Sequence, residues 1–284
     1  MRLSSSLCFV LGWSPRSEKR LWSRWSDFEG VMGGLFRGNW STYDEIGALR
    51  RSVTGAKVDV AIDGLRADHS LDIDGKTMAV GTYTPENLNW VVTADGAAVG
   101  PTLLRNGLVS TELVLKFDSA RARITIQHAP ALSKDQSAAL KIFKVTVARE
   151  LSEEINPHTY WHPATPFDWR KKWLGTTTVS TKTDSRTINT EFSVEEEYWH
   201  NVRSGDADYT LAQGNLLIQA PTIILPGRTA LPFRVAWLPT ENTLLRAEVL
   251  AALLTPDESN DTEDIFLPPR LLTLQVDSLT SASS

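Results

Sequence analysis

Apolar and polar residues alternate along most of this chain. Phe36, Gly38, Trp40 and Thr42 interleave with Arg37, Asn39, Ser41 and Tyr43, and Asp44-Glu45-Ile46-Gly47 then reads as a turn. The same grammar repeats over 58–62, 65–73, 77–83 and 88–93, with turns at Asp63-Gly64, Asp74-Gly75 and Asp95-Gly96. After Asn106-Gly107, Leu113, Leu115 and Phe117 alternate with Val114 and Lys116. Beyond Asp118-Ser119, Ile124 and Ile126 alternate with Arg123, Thr125 and Gln127, and Phe143, Val145 and Val147 make a further strand. A period of two puts successive side chains on opposite faces, and Asp-Gly or Asn-Gly supplies the backbone for tight hairpins. The pattern predicts a meander of antiparallel strands, since a buried parallel sheet would show unbroken apolar runs.

A short helix is expected over 21–28, with Trp22, Trp25 and Phe28 on one face as a plug. Gly30-Val31-Met32-Gly33-Gly34 lacks the Lys-Ser/Thr ending of a phosphate loop and reads as the turn out of that helix. Three prolines, Pro157, Pro163 and Pro166, mark a connector. The second half restarts with Trp169-Arg170-Lys171-Lys172-Trp173-Leu174-Gly175-Thr176, a plug-like segment entering a strand, and predicts strands over 187–194, 198–203, 209–212, 216–219, 222–225, 231–237, 244–250 and 271–276. Residues 1–20 read as a leader, 21–151 as one barrel, 152–168 as the linker and 169–284 as a second barrel. Each half then has about eight strands, the number whose barrel holds its own side chains or one small ligand.

Composition narrows the classes. The chain has 284 residues, 42% hydrophobic and 22% charged, enough to build a large core. Residues 1–150 carry 19 Lys/Arg against 16 Asp/Glu and 151–284 carry 10 against 18, so no strongly basic face for nucleic acid is expected. Cys8 is the single cysteine, which excludes an internal disulfide and a thiolate metal cluster. No run approaches the about 18 apolar residues of a membrane-spanning helix. Arg2, Arg16, Lys19, Arg20 and Arg24 against Glu18, among many serines, fit a transit peptide, a weak secretory signal or a disordered leader. A soluble protein of the cytoplasm or a plastid is expected.

Gly38-x-Trp40 after a short aromatic helix resembles the opening motif of lipocalins and related calycin barrels. In that motif the Trp closes the barrel floor against an Arg or Lys of the last strand. The resemblance implies a floor of Gly38, Trp40 and Trp173, with Arg149 and Arg246 as the cationic partners. The wider pattern, with Trp40-Ser41-Thr42-Tyr43-Asp44-x-x-Gly47 and the late Phe233-Arg234-Val235-x-Trp237, is similar to an uncharacterised cyanobacterial and algal family of paired lipocalin-like barrels. That family shares its barrel type with bilin lyases of antenna proteins. The implied fold is all-β, two tandem antiparallel up-and-down barrels with a short N-terminal helix. Trp173-Leu174-Gly175 reverses the order of the motif in the second half.

Candidate chemistry is sparse. His158, His162 and His200, with Asp168 or Glu197, have the residue types of a metal site, but flanking prolines and the lack of H-E-x-x-H argue against one. Glu195 and Glu197 would share a strand face beside Tyr198-Trp199-His200, as an acid and base or as a solvated edge. No G-x-S-x-G is present. Trp90, Trp199, Tyr209 and Trp237 are the aromatic candidates for a flat or apolar ligand, or else core. Arg50-Arg51 and Arg121-x-Arg123 offer carboxylate-matching cations at a barrel mouth, or surface charges. Neither metal nor cofactor is expected. The leading expectation is non-catalytic binding of a tetrapyrrole, carotenoid or fatty acid. The alternatives are a lyase or isomerase of a pigment-like substrate, and a structural module with filled barrels.

Overall fold

Asp74 and Gly75 both take left-handed backbone angles, with φ of 55° and 75°. That conformation lets β3 (Arg66–Ile73) fold straight back onto β4 (Lys76–Tyr83). Asp118, at φ 54°, does the same between β7 (Val109–Phe117) and β8 (Ala120–Pro130). In the computed structural model, residues 15–131, 139–152, 159–161, 172–193, 208–225, 231–252 and 270–281 are described. Among them all strand pairing is antiparallel, and one helix, α1 (Pro15–Met32), precedes the sheets.

The first sheet is ten-stranded. Its path runs β4, β3, β2 (Leu49–Asp63), β1 (Gly34–Tyr43), β9 (Leu140–Leu151), β8, β7, β6 (Gly96–Leu103) and β5 (Val91–Val92). The second is seven-stranded: β11 (Ser185–Ser193), β10 (Lys172–Ser180), β17 (Arg270–Ser281), β16 (Thr243–Ala252), β15 (Leu231–Thr240), β13 (Leu216–Pro221) and β12 (Asp208–Gln213). Each is a meander whose first strand pairs with its last, β1 with β9 and β10 with β17. Among the described residues neither path closes into a full ring, because β4 is not paired to β5 nor β11 to β12. The short β14 (Ile223–Ile224), from the second half of the chain, adds to the first sheet by pairing with β9.

The first sheet is curled. Arg123 on β8 reaches His69 on β3 at 3.2 Å, although four strand spacings, about 19 Å on a flat sheet, separate those strands. Helix α1 packs on the concave face, with Trp25, Phe28, Val31 and Met32 in one cluster with Val60, Ala67, Trp90, Val92, Ala97 and Val114. Trp22 is exposed rather than part of that face. Positions 25, 28, 31 and 32 make the inward stripe, and 22 falls at its edge.

The largest core lies elsewhere. Leu113, Leu115, Ile124, Ile126, Val145 and Val147 on the convex face of the first sheet join Ile218, Phe233, Val235, Trp237, Val249 and Val276 of the second. The alternating apolar residues therefore do not all line an interior. On β7 to β9 they point outward and seal the sheets to each other, while the alternate positions turn charged side chains inward.

Candidate functional site

The concave face of the first sheet has three layers. At the closed end lies the apolar plug of α1, which ends where the Gly33 N–H donates to the Glu29 carbonyl and the chain turns through Gly34 at φ 102°. Above it is a buried charged layer. The Arg121 guanidinium donates to Glu150 at 2.6 Å and to the Met32 carbonyl at 3.1 Å, and stacks 3.8 Å over the Phe36 ring. Arg123 donates to Glu112 and to His69 Nε2, and its guanidinium lies 5.8 Å from the Trp40 ring centroid. Beyond this layer Trp40, Thr42, Leu71, Thr125, Gln127 and Thr146 face inward and are half-buried, and Met78 is 49% exposed.

Electrostatics in the charged layer balance. Burial opposes the charge of Arg121 and lowers its pKa, against the Glu150 carboxylate. Burial also opposes the Arg123 charge, but Glu112 and Glu150 outweigh it and raise that pKa. Burial first, then Arg123 and Arg121, push His69 down to about 3, so its ring is neutral. A guanidinium can only donate, so His69 Nε2 accepts and the proton sits on Nδ1. That Nδ1 is buried and has no hydrogen-bond partner in the protein, as is true of Trp40 Nε1, Arg121 Nη2, Glu150 Oε1 and Gln127 Oε1.

Gly38 lies where β1 and β9 approach closely. A Cβ there would stand 1.9 Å from the Arg149 carbonyl oxygen, so only glycine lets β1 press onto β9. Gly175 repeats this on β10, where a Cβ would stand 2.0 Å from the Ser278 carbonyl oxygen. Trp173 is buried on the same inner face of its sheet, in a small cluster with Leu217, Ala236, Leu244 and Leu279. The motif order reverses because Trp40 follows its glycine and Trp173 precedes one.

The cation beside Trp40 is Arg123, not Arg149. Arg149 lies on the convex face, where it stands 5.8 Å from the Trp161 ring centroid and donates to the Gln213 carbonyl at 3.3 Å. Its place on β9 alternates with Ala148 and Glu150, and parity alone turns it away from Trp40. Arg246 does face the interior of the second sheet, ion-paired to Asp277 at 2.5 Å, and Asp277 also accepts from Thr177 at 2.6 Å. Arg121 with Glu150 and Arg246 with Asp277 are direct cross-strand neighbours between the last two strands of each meander.

The aromatic candidates are scattered. Trp90 is buried beneath α1, with its ring centroid 6.4 Å from that of Phe28. Tyr209 lies between the sheets, donating to the Asp44 carbonyl at 3.2 Å. Trp237 is also between the sheets, stacked on Trp161 at 4.6 Å. Trp199 lies outside the described residues, as do Cys8, His158, His162, Asp168, Glu195, Glu197 and His200. Arg50 and Arg51 pair with Asp44 at 2.6 Å and Asp74 at 2.9 Å, and Arg121 and Arg123 are buried ion-pair members rather than mouth or surface cations. The clue available in the chain was Ala120-Arg121-Ala122-Arg123-Ile124, charges at every second position inside an apolar strand. No group of three or more His, Cys, Asp or Glu able to hold a metal occurs among the described residues. Nor does any helix there have the length and apolarity to cross a membrane.

No family model matches the chain, and no curated protein does. Among solved structures it is similar to a protein of unknown function from the DUF3598 family of the cyanobacterium Nostoc punctiforme PCC 73102. The TM-score is 0.64 at 12% identity, covering 92% of this chain and 99% of the other. The likeness is one of fold, extending over both sheets.

Proposed function

We propose that each meander is a lipocalin-like barrel, that the two stand in tandem, and that the first holds a small hydrophobic or amphipathic molecule without transforming it. The supporting observation is the open end of the concave face. Inward-facing Thr42, Thr125 and Thr146 remain half-buried there, beside Met78 at 49% exposure, so their own packing does not fill that end. Val53, Leu71, Met78 and the Trp40 ring offer an apolar wall, and the threonines and Gln127 a polar one, as ligand sites combine them. The nearby charges are engaged in ion pairs rather than poised as a free acid and base, which favours holding over turnover.

A tetrapyrrole, a carotenoid or a fatty acid fits this description. Titrating the full chain with a bilin, haem, a carotenoid and a fatty acid should quench tryptophan fluorescence saturably for at least one of them. No change across the panel defeats the binding reading.

A further inference from the structure

We infer that the molecule held on this concave face enters with an uncharged end that both donates and accepts hydrogen bonds, an amide, lactam or alcohol, and not with a carboxylate. This rests on the binding reading and names the chemistry of the buried end.

The first ground is charge balance. Arg121 and Arg123 are matched by Glu150 and Glu112 in two ion pairs, and His69 adds no charge because it accepts from Arg123 while buried. An entering carboxylate would be a third, uncompensated anion in a layer where Arg121 and Glu150 are fully buried. Placing an unpaired charge there is strongly unfavourable. The second ground is the set of unsatisfied polar atoms on the same face. Trp40 Nε1, His69 Nδ1 and Arg121 Nη2 are donors without acceptors, and Gln127 Oε1 and Glu150 Oε1 have no donor. Buried polar atoms are nearly always hydrogen-bonded, and a neutral group that both accepts and donates answers this mixed set where a carboxylate, acceptor only, does not. A ligand that also carries carboxylates would keep them at the rim, beside Lys144 and Arg51, which share this face at the open end.

The test uses four probes with one tail: decanoic acid, decanamide, decanol and decane. Binding to the full chain at neutral pH is read by tryptophan fluorescence. Decanamide and decanol should bind at least about tenfold more tightly than decanoate, given the penalty for an unpaired buried charge, and more tightly than decane. Tightest binding by decanoate overturns the inference and leaves the binding reading standing. So does equal binding of all four. Binding by none defeats both.

Glu112→Gln supplies the second arm, since it keeps a hydrogen-bond acceptor for Arg123 and leaves the layer with one net positive charge. Its decanoate affinity should rise about tenfold relative to decanol. An unchanged ratio in a variant with native circular dichroism overturns the inference. Trp40→Phe, which removes the Nε1 donor together with part of the apolar wall, should weaken decanamide severalfold more than it weakens decane; equal weakening of both overturns it.

Discussion

Arg123 on β8 and His69 on β3 meet at 3.2 Å across the interior of the first sheet, joining strands four places apart in the hydrogen-bonded order. The contact exists because the sheet curls, and the same curl makes the charged layer continuous. Arg123 links Glu112, His69 and the Trp40 ring, while Arg121 links Glu150, Phe36 and the end of α1.

Breaking the deeper pair should be severe. Arg121→Met strands the Glu150 carboxylate where no water reaches, and stability should fall by about 3–5 kcal/mol. Arg121→Met combined with Glu150→Leu should recover much of that loss, because no charge is then left buried. Urea denaturation of the two singles and the double gives the coupling directly. Equal and additive losses would show that the pair is not an electrostatic unit.

The two pressed glycines should be intolerant in the same way. Gly38→Ala or Gly175→Ala must push the first strand off the last, and each should destabilise by about 3 kcal/mol or more, at the upper end for overpacking. Gly30→Ala is the contrast, since a Cβ there meets nothing within 4 Å inside α1. It should stabilise by about 0.5–1 kcal/mol. Thermal melts of the three variants decide it.

Unfolding should be one event, because Leu113, Ile124 and Val147 of the first sheet share a core with Phe233, Val235 and Trp237 of the second. Trp237→Ala removes the stack on Trp161 and should lower stability by about 3–5 kcal/mol. Far-ultraviolet circular dichroism and tryptophan fluorescence should then move together in denaturant. Two separated transitions would contradict a common core.

Acid should weaken the fold through histidine. Burial lowers His69 to about 3 and His128 to about 4, the latter against the raising effect of its 2.8 Å bond to the Pro221 carbonyl. Both folded-state values lie below the ordinary value of 6.5. The unfolded chain therefore takes up protons first as pH falls. The stabilisation is complete above about pH 6.5 and is lost on the way down, by up to about 1.4 kcal/mol per pH unit for each group. His128→Phe, which keeps an aromatic ring against Phe233, should flatten the fall between pH 6.5 and 4 in a series of thermal melts. An unchanged slope would remove His128 from the acid response.

Much of the fold was legible in the chain itself. Alternation located β1, β3, β4, β7, β8 and β9, and Asp74-Gly75 and Asp118-Ser119 marked the β3–β4 and β7–β8 turns, because hairpin geometry is a local demand on a few residues. The ends were less legible. β2 begins at Leu49, well before the apolar run at 58–62, since its first turn is exposed and carries little hydrophobic signal. The candidate site was partly visible: Gly38 and Trp40 share the interior face, but the cation at Trp40 came from β8, not from β9.

By itself, then, the order of residues determined that this is an antiparallel all-β chain, entered by a helix and built as two meanders. Period and turn chemistry are properties of neighbours along the backbone. Only the tertiary structure decided which face of each strand is the inside. Alternation says that two faces differ but not which one meets a second sheet, and here the apolar face of β7 to β9 met β12 to β17. Arg121, Arg123, Glu112 and Glu150 were thereby left facing one another across the concave side.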